Sequence, residues 1–158
     1  MESIQKTQPA GGKLQGCTNL KLRQLTRRVT QFYDAQLSPS GLKVTQYSLL
    51  SHVLKLAPVR PGDLARAMKM DASTLTRNLK LLLAAGWVLI APGVDGRSRQ
   101  VTLTPAGKDK RQQAQQQWRA AQTRLNHLLG MERVSALHQL IDESLELLAP
   151  GDEGASHD

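Results

Sequence analysis

Four polar side chains near the middle of the chain have types and a spacing that suit contact with a polyanion. On a helix with about 100° per residue they fall within one narrow sector, which contains Ser73, Thr76, Arg77 and Lys80. Three leucines occupy nearly the opposite sector and would hold the helix against a core: Leu75, Leu79 and Leu82. The outward sector therefore offers hydroxyls, a guanidinium and an ammonium, and it contains no carboxylate.

A helix face of this composition fits the major groove of duplex DNA. An arginine such as Arg77 can bind guanine through two hydrogen bonds, and serine or threonine hydroxyls reach base edges or phosphates. The alternative is an ordinary amphipathic helix whose polar face is only solvated. The surrounding chain favours DNA, because residues 60–111 contain ten basic side chains against four acidic ones.

A second cationic feature follows, in a predicted β-hairpin. Residues 87–90 are β-prone, residues 99–104 alternate between polar and apolar side chains, and Asp95-Gly96 between them is a strong hairpin signal. Arg97 stands at the tip beside Asp95 and Arg99, where a compact cation suits a narrow minor groove. We expect Asp95 to orient the Arg97 guanidinium. A solvated turn is the alternative, but a basic hairpin directly after a groove-fitting helix favours DNA.

Periodicity, caps and turn residues predict the elements that must position these groups. Thr45 and Asp71 are suitable N-caps, and Thr104-Pro105 is an N-cap followed by a helix-starting proline. Gly86 and Gly130 are suitable residues to end helices. The predicted helices cover residues 18–37, 45–57, 61–68, 71–85, 105–129 and 131–148.

Composition limits the partner and the compartment. A net charge of +8 and a pI near 10.1 indicate a polyanionic partner, either nucleic acid or an anionic membrane surface. No apolar run approaches the roughly 20 residues that cross a bilayer, and the start of the chain lacks the apolar core of a secretory signal. The single cysteine, Cys17, excludes an internal disulfide and suits a reducing compartment. We therefore expect a cytoplasmic protein with no membrane partner.

No catalytic, metal or cofactor site is predicted. Cys17 has no partner at metal-ligand spacing, and the four histidines are scattered along the chain at His52, His127, His138 and His157. The sequence contains no G-x-S-x-G segment, phosphate-binding loop or paired carboxylate arrangement. We expect no cofactor and no enzymatic activity.

Four segments carry more specific patterns: residues 60–68, 71–79, 85–88 and 95–107. The last begins with Asp-Gly-Arg and continues through Val-Thr-Leu-Thr to a glycine three residues later. In these segments the chain resembles the MarR (multiple antibiotic resistance regulator) family, and the resemblance extends over roughly residues 17–148. Two departures are Leu89-Ile90-Ala91, where many relatives have an arginine or a Glu-Arg pair, and Arg60, a poor helix cap that is a candidate phosphate contact.

The resemblance implies a mainly α fold with a small β-hairpin: a winged helix-turn-helix plus a helical dimerisation region, in which the first helix and the last two interleave between subunits. It implies that Ser73, Thr74, Thr76 and Arg77 face the major groove and that Arg97 enters the minor groove. We expect a flexible leader (1–16), one MarR-like domain (17–149) and a flexible tail (150–158). Within the domain, residues 45–104 form the DNA-binding lobe and residues 17–37 and 105–149 the dimerisation helices.

The expected function is transcription regulation by a ligand-responsive repressor, a homodimer on a pseudo-palindromic site in double-stranded DNA. The resemblance implies a small aromatic or phenolic effector, with candidate contacts at Tyr33, Tyr47, His52 and Trp118; packing between helices is the alternative for each. Two other functions remain open. The winged helix could dock a protein partner, or Cys17 could sense oxidation, although a structural cysteine is the simpler reading.

Overall fold

The computed structural model describes residues 15–150, so the predicted leader and tail lie almost wholly outside the described residues. The described part is mostly helical with one two-stranded antiparallel hairpin, which confirms the predicted fold class. The helices are α1 (Thr18–Leu37), α2 (Val44–Leu56), α3 (Pro61–Ala67), α4 (Ala72–Ala84), α5 (Pro105–Leu129) and α6 (Met131–Leu147), with a short 3-10 turn at Ser38–Ser40. The strands are β1 (Val88–Pro92) and β2 (Arg99–Leu103). Among these helices none is long and apolar enough to span a bilayer.

One apolar core joins α2, α3, α4 and the hairpin. Its fully buried members are leucines and valines at helical or alternating spacing, including Leu49, Leu50, Val53, Leu64, Leu75, Leu82 and Val101. Burying such a side chain contributes roughly 1.5–3 kcal/mol relative to leaving it in water. The apolar stripe of each short helix is therefore satisfied within a single chain in this part of the fold.

The long helices α1 and α5 pack along each other. Small side chains at Ala114 and Ala121 of α5 are completely buried, and the Tyr33 hydroxyl of α1 donates a hydrogen bond to Gln122 Oε1 at 2.5 Å. Much of the apolar stripe predicted for α1 nevertheless stays exposed, since Leu22 and Leu25 remain 51% and 38% accessible. A single chain thus buries the apolar core of its winged helix-turn-helix, but it leaves apolar side chains of its long helices exposed.

The start of α2 differs from the prediction. Thr45 is not the N-cap, because α2 already begins at Val44. The Val44 amide donates to Asp34 Oδ1 at 2.8 Å, and the Lys43 amide donates to Gln46 Oε1 at 2.9 Å. These two side chains satisfy amides at the helix start, so a serine or threonine cap is unnecessary there. Other boundaries differ by one or two residues: β1 continues to Pro92, and α4 and α6 each end one residue earlier than predicted.

The start of α5 is held tightly against the start of the hairpin. The Thr104 hydroxyl donates to Gly86 O at 2.6 Å and accepts from Gly107 N at 3.0 Å, and the Thr104 amide donates to Trp87 O at 3.1 Å. A Cβ atom placed on Gly107 would lie 1.9 Å from Trp87 O, closer than real atoms approach. Only glycine fits here, and the contact fixes where α5 leaves the winged lobe.

This contact predicts the effect of a single methyl group. Gly107→Ala should lower the free energy of unfolding by about 1–3 kcal/mol, because the backbone of Trp87 or of α5 must shift. Gly62→Ala is the matched control: it lies in α3 with nothing within 4 Å of the added Cβ, so it should be neutral or stabilise by about 0.4–1 kcal/mol. Urea unfolding of both variants measures the difference, and equal effects would contradict the close contact.

Candidate nucleic-acid interface

The N-terminus of α4 is organised by Asp71, as predicted. Its carboxylate accepts hydrogen bonds from Thr74 N at 2.7 Å, Ser73 Oγ at 2.7 Å and Thr74 Oγ1 at 3.0 Å. The Thr74 amide, followed by the two hydroxyls, lowers the pKa of Asp71 to about 2. A carboxyl with a lowered pKa stabilises the fold above its ordinary value of 3.8 and loses that contribution as the pH falls towards 2. The cap is therefore intact at neutral pH.

The polar face of α4 points to solvent. Leu75, Leu79 and Leu82 are almost completely buried, while the predicted contact residues on the opposite side are exposed: Ser73, Thr76, Arg77 and Lys80. Thr74 is half-buried, and its hydroxyl donates to Asp71. The structure thus places Ser73, Thr76, Arg77 and Lys80 together and gives Thr74 a capping role.

Some hydrogen-bond donors on this face already have acceptors within the chain, and others do not. The hydroxyl protons of Ser73 and Thr76 are used within the helix, by Asp71 and by Ala72 O at 2.8 Å. Arg77 makes only a long contact of 3.4 Å to Thr74 Oγ1, and no ion pair among residues 15–150 involves Arg77 or Lys80. These two cations are therefore the groups on α4 that are ready to bind phosphates or base edges.

The tip of the hairpin is organised by Asp95. Its Oδ1 accepts from Arg97 N at 3.0 Å, Ser98 N at 2.9 Å and Ser98 Oγ at 2.8 Å. The Ser98 amide, followed by the Ser98 hydroxyl and the Arg97 amide, lowers the pKa of Asp95 to about 2. Gly96 has a φ of 70°, a left-handed conformation that glycine adopts without strain. The arginines on this loop, Arg97 and Arg99, are exposed.

Asp95 acts on Arg97 differently from the expectation. It bonds to the backbone amide of Arg97, and no bond within residues 15–150 joins its carboxylate to the Arg97 guanidinium. Its second oxygen, Oδ2, lies 3.9 Å from Arg60 Nη2. Asp95 therefore fixes the path of the loop, and it positions Arg97 through the main chain.

Arg60 reaches the hairpin because the segment before α3 pairs with β2. Val59 N donates to Val101 O at 3.2 Å, and Val101 N donates to Val59 O at 2.8 Å. This two-bond bridge ties the turn between α2 and α3 to the root of the wing. Sequence reasoning noted Arg60 only as a poor cap and a candidate phosphate contact. Its ion pair with Asp95 depends on residues 35 positions apart, and no local sequence signal predicts that pairing.

The four candidate effector contacts lie in three different places. Tyr33 lines a groove of about 280 Å³ between α1, α5 and α6, and burial raises the pKa of its hydroxyl. Tyr47 and Trp118 stack with ring centroids 5.5 Å apart. His52 lines a separate cleft with Ser51, Lys55 and Arg111, and its Nδ1 lies 2.8 Å from Ser48 O. Arg111 links two of these places, because its Cζ lies 5.6 Å from the centroid of the Tyr47 ring and it also lines the cleft that contains His52. Tyr33 does not line that cleft. Cys17 is exposed just before α1.

Known proteins resemble this chain in sequence and in fold. A model described as the MarR family matches residues 40–98. An uncharacterised HTH-type transcriptional regulator, YwoH of Bacillus subtilis (strain 168), is 30% identical over 90 residues, which are 57% of this chain and 66% of that protein. The multiple antibiotic resistance protein MarR of Salmonella typhimurium is 35% identical over 72 residues, 45% of this chain and 50% of that protein. The matched segments thus span half to two thirds of these relatives.

A solved structure matches over more of the chain. The M. tuberculosis transcriptional regulator MosR, in complex with DNA, is 29% identical with a TM-score of 0.68. The match covers 82% of this chain and 98% of that chain. The similarity therefore includes the long helices as well as the winged lobe.

Arg77 and Lys80 are expected to contribute to DNA affinity in two different ways. Arg77→Ala should cost about 1–3 kcal/mol on a cognate site and relax the base preference at one position in each half-site. Lys80→Ala should weaken binding to cognate and random DNA alike and flatten the dependence of log K on log salt by about one unit. Titrations on both DNAs at several salt concentrations measure this. If both variants lose affinity equally on every sequence, Arg77 does not read bases.

The Asp95 hydrogen bonds predict different DNA affinities for two substitutions that remove the same charge. Asp95→Ala should weaken DNA binding despite the added positive charge, because the tip that carries Arg97 loses its three bonds to Oδ1. Asp95→Asn keeps an oxygen at Oδ1 and should retain most of the affinity. The Ala change should matter little in an Arg97→Ala background, as a double-mutant cycle at fixed salt would show. Tighter binding by both Asp95 variants would mean that the carboxylate only lowers the local potential.

Proposed function

The chain belongs to the MarR family of DNA-binding transcriptional regulators, and we propose that it is a ligand-responsive repressor that binds a pseudo-palindromic DNA site as a homodimer. Its relatives are transcriptional regulators and not enzymes, which agrees with the expectation from sequence. We place its action in the cytoplasm, where the DNA would be reached directly.

The observation that carries the proposal is the polar face of α4. Arg77 and Lys80 are exposed there and form no ion pair within residues 15–150, and Leu75, Leu79 and Leu82 bury the other side of the helix in the core. One large apolar side chain, Leu81, is exposed one turn after Arg77 at the edge of this face. A surface for a protein partner would instead place apolar side chains at its centre, where this face has Arg77, Lys80 and hydroxyls. The wing supplies exposed Arg97 and Arg99 beside a loop that Asp95 preorganises. We propose Ser73, Thr74 and Thr76 as supporting contacts, with Asp95 acting through Arg97.

The homodimer is supported by the apolar surface that one chain leaves uncovered. Large apolar side chains on α1 and α6 are 38–86% accessible, far more than is usual for helix stripes in a monomer. They are Leu20, Leu22, Leu25, Leu140, Ile141, Leu145 and Leu147. A two-fold dimer through these helices would cover them and carry two recognition helices on one face.

For the ligand response, we propose the groove lined by Tyr33 as the contact site. Tyr33 OH, Gln122 and Asn126 form a chain of hydrogen bonds of 2.5 and 3.0 Å on a mainly apolar wall that includes Leu125 and Ile141. Further polar side chains on the wall are Thr26, Thr30 and His138. An aromatic or phenolic molecule would meet both an apolar surface and hydroxyl or amide partners there. Because Leu25 and Ile141 line the groove and also belong to the surface that the proposed dimer covers, a bound molecule would change the dimer contacts and through them the spacing of the two α4 helices.

Selection of bound fragments from genomic DNA tests the proposed function. The enriched fragments should share an inverted repeat whose half-sites are centred about one DNA turn apart, roughly 34–36 Å. Adding the protein should lower transcription from a promoter that contains the repeat, and Arg77→Ala should not. Enrichment of no common sequence, or light scattering that shows a monomer on and off DNA, would contradict the proposal. Activation in place of repression would contradict only its sign.

A further inference from the structure

The first half of α1 is a basic surface. Residues 18–28 contain no acidic side chain, and their four cations are all exposed: Lys21, Arg23, Arg27 and Arg28. Lys21 and Arg28 are two turns apart on one side of α1, beside the apolar stripe that contains Leu25. The ion pairs among residues 15–150 join Lys43 to Asp34, Arg60 to Asp95 and Arg66 to Asp63, so none uses these four cations.

The end of α6 is an acidic surface of similar size. Residues 140–148 contain no basic side chain, and their three carboxylates are exposed: Asp142, Glu143 and Glu146. Asp142 and Glu146 are one turn apart on the same side of the helix. No ion pair in the described part of the chain uses these carboxylates either. Each charged surface also contains exposed leucines, such as Leu22 on α1 and Leu147 on α6.

We propose that the basic half of α1 packs against the acidic end of α6 from a second copy of the chain, so that charge selects the self-partner. The inference rests on the proposed homodimer, for which the family resemblance already implies interleaved first and last helices, and it adds that opposite charges on these helices select the partner. In a two-fold dimer every contact occurs twice, so α1 with the partner's α6 and α6 with the partner's α1 together pair both surfaces. Opposite charges beside apolar contacts direct pairing more than they tighten it.

Other occupants satisfy only one of the two surfaces. An anionic membrane or a stretch of DNA would attract α1, but it would repel the carboxylates of α6 and leave Leu140 and Leu147 in water. A second copy supplies the opposite charge for each surface and covers the leucines of both. A related chain with another charge pattern on these helices would be excluded from the dimer by like-charge contacts.

Charge reversal on one helix at a time tests the pairing. One variant carries Lys21→Glu and Arg28→Glu, the other carries Asp142→Lys and Glu146→Lys, and a third combines all four changes. The matched control, Lys55→Glu with Lys108→Glu, reverses two exposed cations outside both surfaces. Sedimentation velocity over a dilution series, without DNA, gives the dimer dissociation constant of each chain and of mixtures.

Each two-residue variant of α1 or α6 alone should dimerise at least about tenfold more weakly than the wild type, because like charges then face each other twice. An equimolar mixture of these two variants should form a heterodimer of nearly wild-type stability, since both of its contacts pair opposite charges. The four-substitution chain should regain the homodimer, which also shows that every change is compatible with folding. The Lys55/Lys108 control should dimerise like the wild type.

The experiment distinguishes failure of the charge pairing from failure of the proposed homodimer. If the wild type dimerises and the α1 or α6 variants do so equally well, or their mixture shows no preference for the heterodimer, the charge pairing is overturned and the homodimer stands. If the wild type stays monomeric at every concentration, both the pairing and the homodimer are overturned. Higher salt should weaken the wild-type dimer and reduce the difference in dimer dissociation constant between the wild type and the charge-reversed variants. If salt leaves that difference unchanged, the effect is not electrostatic.

Discussion

The rotation of α4 about its own axis is the constraint on which the interface depends. Leu75, Leu79 and Leu82 are buried in the core that α2, α3 and the hairpin share. Because a helix turns by about 100° per residue, burying these three leaves no freedom for the opposite sector. Arg77 and Lys80 are therefore presented to solvent by packing energy, and no contact of their own is needed to hold them outward. Cavity-forming changes at the leucines would disturb the DNA contacts that we propose for the opposite side of the helix.

Two exposed carboxylates shape the surface in a region that is otherwise cationic. Asp71 and Asp95 each accept three hydrogen bonds, and three of these six come from hydroxyls of neighbours within three residues: Ser73, Thr74 and Ser98. A negative charge near a phosphate backbone is unfavourable by itself. Its presence here is explained by local geometry: one carboxylate starts the recognition helix and the other closes the wing tip. The arginines and lysines thus supply the electrostatic attraction to DNA, whereas Asp71 and Asp95 hold the backbone that positions them.

The winged lobe and the long helices of this MarR-type chain differ in how much of their apolar surface a single chain buries. The winged lobe buries a common apolar core internally, although Leu81 and Leu89 stay exposed at its surface. The Val59–Val101 bridge and the Gly107–Trp87 contact connect its elements to one another. The long helices α1 and α6 leave leucines in solvent, together with charged side chains that form no ion pair within residues 15–150. The contact at Gly107 joins the two parts, so a change in how α5 packs would be transmitted to the wing and to α4. This arrangement suits a regulator in which assembly and DNA geometry depend on each other.

The sequence by itself determined the features that follow from neighbours in the chain. The Asp71 cap, the outward sector of α4, the Asp95-Gly96 hairpin and the Thr104-Pro105 start of α5 all depend on residues within a few positions, where caps, helical spacing and turn chemistry act. The tertiary structure decided what depends on distant residues. It placed Asp34 at the start of α2, Arg60 beside Asp95 and Tyr33 beside Gln122, and it put His52 in a cleft that Tyr33 does not line. Residues far apart in the chain meet only when helices pack, and side-chain spacing along one helix does not specify which neighbour that packing supplies.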